Sequence, residues 1–239
     1  MRHAGRCGPR EGPSDTATKE ANAVKVTILG ATGQLGRECL KQCLEADHEV
    51  TVLVRTPGKL PDALRDMVTV VQGDALSPAD VVRALPVGTQ AVLFAIGVDE
   101  KTSPADLCTD ATRNVLAAMR ENLQGQEPRL VWCGGGSTIV KDDAVTWGSR
   151  FVRWYGEHFL KHRHTDKEHQ LALLEKSRDI RWTGIRPLQM KPGARTGKYR
   201  LGFHPFSAMS KISFADCAHA MVGMMDDDTW LGKAPIVQY

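Results

Sequence analysis

Gly30, Gly33 and Gly36 carry the first chemical signal in the chain. They stand in GATGQLG (30–36), straight after the apolar run VKVTIL (24–29) and at the start of a helical pattern. Glycines at this spacing, between a strand and a helix, suit a phosphate-binding loop. Gly30 permits a tight turn, Gly33 lets the main chain approach a pyrophosphate, and Gly36 lets the helix lie close on the strand. The main-chain amides around Thr32, Gln34 and Leu35 then face the phosphate oxygens. The alternative is a glycine-rich turn without function, and the flanking strand and helix argue against it.

The next strand, VTVLV (50–54), ends in Arg55 and Thr56. A nucleotide fold that takes NAD places a carboxylate here for the ribose hydroxyls, and none is present. A guanidinium can instead pair with a 2′-phosphate through two parallel hydrogen bonds. Arg55 therefore favours NADP(H) over NAD(H), with an ordinary solvated loop residue as the other reading.

Further along, an aromatic series recurs at helical spacing. Trp147, Phe151, Trp154, Tyr155, His158 and Phe159 fall on one helix face, accompanied by Arg150, Arg153, Lys161 and Arg163. Such a helix packs on a sheet edge, lies on a membrane surface, or walls a pocket for a flat substrate, with Trp154, Tyr155 and Phe159 as its contact rings. His158, His162, His164 and His169 lie close in sequence but lack an ordered ligand pattern, so no metal site is expected. The six cysteines are scattered without a CxxC pair, and read as buried reduced thiols of an intracellular protein. Cys39 and Cys43 share a helix face as packing residues.

These groups need a scaffold. Strand-like runs at 24–29, 48–54, 68–72, 91–96, 129–133 and 180–186 alternate with helical patterns at 34–46, 78–85 and 105–122. Strands alternating with helices give βαβ units, and continuous apolar strands are those of a parallel sheet covered on both faces. The fold class is α/β, one Rossmann-type doubly wound parallel sheet over 24–239, with a late helix at 214–225 and a last strand at 234–238. Residues 1–23 show no apolar periodicity and read as a disordered tail. Arg2, Arg6 and Arg10 give a weak hint of mitochondrial targeting, opposed by Glu11, Asp15 and Glu20; a cytoplasmic location is the expectation. Among 239 residues there are 31 Lys plus Arg against 28 Asp plus Glu, too small a surplus to indicate nucleic acid. No run is long and apolar enough to span a membrane.

With GxxGxxG spacing in place of GxGxxG, the chain resembles the short-chain dehydrogenase/reductase superfamily, in its extended and atypical members, over essentially all of 24–239. GATGQLG with VTVLVR is similar to biliverdin-IX-beta reductase/flavin reductase and to NmrA-like NAD(P)-binding proteins. CGGGST (133–138), ARTGKYRLG (194–202) and ISFADCAHAMV (212–222) are similar to the bacterial NADH-flavin-reductase-like group. The resemblance implies that Asp74 and Ala75 meet the adenine. It also implies that Ala95, Ile96 and Gly97 line the cofactor ribose, and that Lys167 reaches the nicotinamide ribose. The superfamily's YxxxK is missing: Tyr155 is followed at four residues by Phe159, and Tyr199 by Phe203. The serine and histidine of the biliverdin reductases fall at Gly135 and Leu188, which leaves Ser137 as the best hydroxyl near the nicotinamide. Flavin reduction demands less acid–base chemistry than alcohol–ketone exchange, because the protein mainly aligns two rings. The expected activity is therefore an NADPH-dependent reduction of a planar acceptor such as a flavin or quinone, with Ser137 and Lys167 as the catalytic candidates. The alternative is a non-catalytic NADP-binding sensor or assembly protein of NmrA-like type with a protein partner.

Overall fold

The computed structural model describes residues 23–122 and 125–239; the expected tail, apart from residue 23, and Cys7 lie outside the described residues. The first half alternates β1 (Lys25–Leu29), α1 (Gln34–Glu45), β2 (Glu49–Val54), α2 (Asp62–Arg65), β3 (Thr69–Gln72), α3 (Pro78–Ala84) and β4 (Ala91–Phe94). It continues with α4 (Leu107–Asn122), β5 (Arg129–Cys133), α5 (Trp147–Phe159), α6 (Lys161–Lys176) and β6 (Arg181–Ile185). The C-terminal part carries β7 (Gln189–Lys191), β8 (Arg200–Gly202), β9 (Lys211–Ser213), α7 (Phe214–Gly223) and β10 (Ile236–Gln238).

Six strands form one parallel sheet in the order β3-β2-β1-β4-β5-β6, a Rossmann-like α/β arrangement. The order reverses between β1 and β4, and it is outside the strand ends at such a reversal that ligands bind in open α/β sheets. Side chains alternate across the pleat. On one face Val26, Ile28, Val50 and Val52 meet Cys39, Leu40 and Cys43 of α1 and Cys217, Ala218 and Met221 of α7. On the other, Leu29, Val92, Phe94, Leu130 and Trp132 meet α3, α4 and α6 through Val81, Val115, Leu116, Leu171 and Leu174. Each fully buried Leu or Val contributes about 1.5–3 kcal/mol, which is why both faces of these strands are apolar. The five described cysteines are buried free thiols. Burial pushes the Cys39 thiol up, and Cys43 up to about 12, in keeping with packing roles.

Two polar joints hold the loops above the sheet. Asp166, fully buried on α6, accepts hydrogen bonds from the Cys108 and Thr109 amides at the start of α4, both at 2.8 Å. Arg186, just after β6, forms a fully buried ion pair with Asp143, Nη2 to Oδ1 2.5 Å, and donates to the Thr138 carbonyl. That pair ties the long segment after β5 to the end of β6.

The C-terminal strand departs from the sequence expectation. Residues 236–238 do not extend the main sheet; they pair antiparallel with β8, and a single bridge from Ile236 to Arg186 touches the main sheet. Pro235 lacks an N–H and interrupts the ladder there. The parallel pair β7–β9 was not legible either, since three-residue strands are too short to show a period.

Candidate active site

At the C-terminal ends of β1, β4, β5 and β6 the sheet opens into a cleft of about 600 Å³. The glycine loop forms one wall. Gly30 has φ +88°, and a Cβ there would lie 2.7 Å from the Ala95 carbonyl group. A Cβ on Gly36 would lie 2.1 Å from Gly30 O. Both residues are glycine because α1 and β4 crowd against the loop. Gly33 differs: its φ is −78°, and a Cβ would meet only Gly30 O, at an ordinary 3.4 Å. Neither strain nor packing requires glycine there; its effect is to leave bare main chain on the cleft wall. No side chain caps the start of α1, and no carboxylate occupies its first turn. Helix-start amides left in that state suit an anion.

Gly33, Gln34, Leu35, Ala95, Ile96 and Gly97 all line the cleft, together with Ser137, Tyr155 and Lys167. Gly30, Thr32 and Gly36 shape the loop without lining it. Arg55 is exposed at the end of β2 and outside the cleft. Asp74 and Ala75, after β3, also lie outside it: the Asp74 carboxylate accepts the Leu76 amide at 3.0 Å, and the Ala75 carbonyl accepts from Asn114 at 3.0 Å.

The opposite wall comes from the segment after β5 and from α5. In CGGGST, Gly134 makes room for the buried Trp132 ring and Gly136 for Leu188, with hypothetical Cβ contacts of 2.4 Å in both cases. Gly135 is uncrowded and faces Lys167. Lys167 is buried, and its Nζ donates to Gln170 Oε1 at 2.9 Å and to Cys133 O at 3.1 Å, with Cys108 Sγ at 3.3 Å. The ammonium therefore knits the ends of β4 and β5 as well as lining the cleft.

α5 meets the expectation in its bounds but not in its orientation. Phe151 and Tyr155 line the cleft; Trp154 and Phe159 do not. Phe159 is 58% exposed and stacks on Tyr155 from outside, ring centroids 5.0 Å apart, with Trp154 edge-on to Phe159 at 5.6 Å. The cause is Gly156: a Cβ there would lie 2.7 Å from Ser137 Cβ, so the helix docks by its glycine and turns the wider aromatic face outward. The aromatic period identified the helix but not which part of so wide a face is covered. Phe151, Leu188, Met190 and Phe214 are lining residues that the sequence reading did not select. His164, considered only for metal, lies behind the lining, with its Nδ1 3.1 Å from Ser137 Oγ.

Residues 30–228 match the family described as NAD(P)H-binding. The chain belongs to that NAD(P)H-binding family. The curated protein YwnB of Bacillus subtilis, itself uncharacterized, is 26% identical over 213 residues, 85% of this chain and 92% of YwnB. Among solved structures, SP1627 of Streptococcus pneumoniae, a proposed NADH-flavin reductase, superposes with TM-score 0.65 at 21% identity, covering 90% of this chain and 99% of that one. ChuY, an anaerobillin reductase of Escherichia coli O157:H7, gives TM-score 0.68 at 16% identity over 90% and 97%. At these identities the two structures are likenesses of fold. The NAD(P)H-binding assignment agrees with the atypical short-chain dehydrogenase/reductase resemblance. Among the described residues no helix is long and apolar enough to cross a membrane.

Proposed function

We propose that this NAD(P)H-binding chain is a reductase that uses NADPH to reduce a planar conjugated acceptor, a flavin or quinone. The observation that carries the reading is the composition of the cleft wall. Bare main chain at Gly33 and an uncapped helix start suit a pyrophosphate, while Phe151, Tyr155, Leu188 and Met190 offer an apolar, ring-bearing surface. The structural likenesses to flavin and bilin reductases support flat acceptors. Arg55, exposed where an NAD-type fold carries its acid, supports a 2′-phosphate and hence NADP(H).

A bound nicotinamide supplies the hydride. The chain's residues then hold and shield the reacting partners: Gly33 to Leu35 take the phosphates, Ala95 to Gly97 border the ribose, and Lys167 fixes the strand ends. Tyr155 and Phe151 exclude water from the acceptor face. Ser137 presents a hydroxyl to the cleft. Asp74 and Ala75 are assigned to the adenine end.

The test is NADPH oxidation with FMN, menadione and biliverdin in turn, against protein-free controls. Turnover with any of them supports the reading. A second reading, a nucleotide sensor with a protein partner, draws support from the exposed face of α5, where Trp147 is 87% exposed. Firm NADPH binding without oxidation by any acceptor would favour it.

A further inference from the structure

Ser137 faces the cleft, and behind it lies His164, in the first turns of α6 and only 6% exposed. Nδ1 of His164 is 3.1 Å from Ser137 Oγ. Its other nitrogen, Nε2, is 4.0 Å from both Glu157 Oε1 of α5 and Glu168 Oε1 of α6. Glu157 in turn accepts from Arg153 at 2.9 Å, and Glu168 Oε1 is buried with no hydrogen-bond partner among the described residues. Gly156 closes the group from α5: a Cβ there would be 3.0 Å from Ser137 Oγ and 3.3 Å from His164 Nδ1. An imidazole thus lies between a hydroxyl on the cleft wall and two carboxylates. The hydroxyl can donate to a ligand only while it accepts from the imidazole, and the imidazole can supply that proton.

We propose that His164, acting through Ser137, delivers the proton that a reduced acceptor takes up. This inference rests on the reductase reading above. Reduction of a quinone or flavin by NADPH adds a hydride, with its two electrons, and one proton. The hydride comes from the dihydronicotinamide, which is oxidised. The proton comes from Ser137: its O–H bond breaks as a new bond forms to the acceptor's anionic oxygen or nitrogen. Ser137 recovers a proton from His164 Nδ1–H of the imidazolium, which becomes neutral imidazole and keeps Nε2–H toward Glu157 and Glu168. Water restores the imidazolium, so one solvent proton is consumed per turnover.

Four features set the pH dependence. Burial lowers the His164 pKa; the facing Glu168 and Glu157 oppose this, and Arg153 adds to it. The proton-loaded form is therefore lost as pH rises through a midpoint below the ordinary imidazole value of about 6.5. His164→Asn keeps a donor near the Nδ1 position but cannot carry a proton. With NADPH and menadione, this variant should lose about 10²-fold in kcat, the scale of a lost general acid. It should also lose the falling limb of the pH profile and any solvent deuterium isotope effect, with NADPH affinity unchanged. An active wild-type enzyme whose profile and isotope effect survive the substitution would overturn the inference alone. A wild-type chain inactive with every acceptor would overturn the reductase reading, and this inference with it.

A readout independent of turnover covers the case of a variant that fails to fold. Nitrogen NMR of the histidine-labelled full chain should show His164 titrating with a midpoint below that of an ordinary imidazole. The midpoint should move in Ser137→Ala, because the imidazole loses its partner. A His164 signal that does not titrate, or one indifferent to Ser137→Ala, would contradict the relay.

Discussion

Gly33 and Gly36 stand three residues apart and are glycine for different reasons, which one pair of substitutions separates. Gly36→Ala forces a Cβ to 2.1 Å from the Gly30 carbonyl, and overpacking of this kind costs about 1–3 kcal/mol or more. Gly33→Ala meets an ordinary contact, so its melting temperature should stay close to wild type while NADPH affinity falls. Equal effects of both substitutions on stability would contradict the distinction. Arg55→Ala should weaken NADP(H) binding by about 1.5–3 kcal/mol, the scale of a charged hydrogen-bonded pair, and leave NAD(H) binding unchanged in calorimetric titration. At this scale the glycine spacing was legible in sequence because local backbone crowding requires glycine at Gly30 and Gly36. The Ser137–His164 contact was not, since it joins residues 27 positions apart through a loop whose path depends on the buried Arg186–Asp143 pair.

α5 decides how one wall of the cleft is built. Trp154 is 44% exposed and does not line the cleft, so Trp154→Ala should cost far less than the ~3–5 kcal/mol of a buried tryptophan. Tyr155→Ala should raise the acceptor KM with little change in NADPH affinity, measured by steady-state kinetics beside thermal melting. The segment between β5 and α5 depends on Asp143. Removing that carboxylate strands the buried Arg186 charge, and Asp143→Ala should cost about 3–5 kcal/mol. The bounds of α5 were readable because aromatic spacing reports a helix. Its orientation was not, because Gly156 and the Ser137–His164 pair choose the docked side, and a hydrophobic period gives no weight to a glycine. The short strands β7 to β9 and the displaced β10 escaped for a related reason: their pairing is set by tertiary contacts across segments with no period of their own.

The whole molecule couples this architecture to pH in two windows. Burial lowers His48 and His164, so the unfolded chain binds more protons than the folded one as pH falls below about 6.5. Stability therefore declines there toward the folded midpoints. A second decline follows below the unfolded carboxylate value of about 3.9. Burial raises Asp216, but hydrogen bonds from Tyr239, Gly197 and Thr196 together outweigh it and hold the carboxyl below its usual range. That stabilisation is present above the unfolded value and is lost as pH falls through the folded one. Thermal melts across pH should show both declines, with the upper one reduced in His164→Asn; a flat profile down to about pH 4 would contradict the burial of these imidazoles. Single-turnover mixing is the sharpest test of whether this cleft passes hydride from a bound nicotinamide to a flat acceptor. Protein loaded with NADPH is mixed with menadione or FMN, using NADPH with hydrogen or deuterium at the transferring position. Nicotinamide should be oxidised well above the protein-free rate, and more slowly with the deuterium. Oxidation no faster than in protein-free solution, with NADPH demonstrably bound, would contradict it.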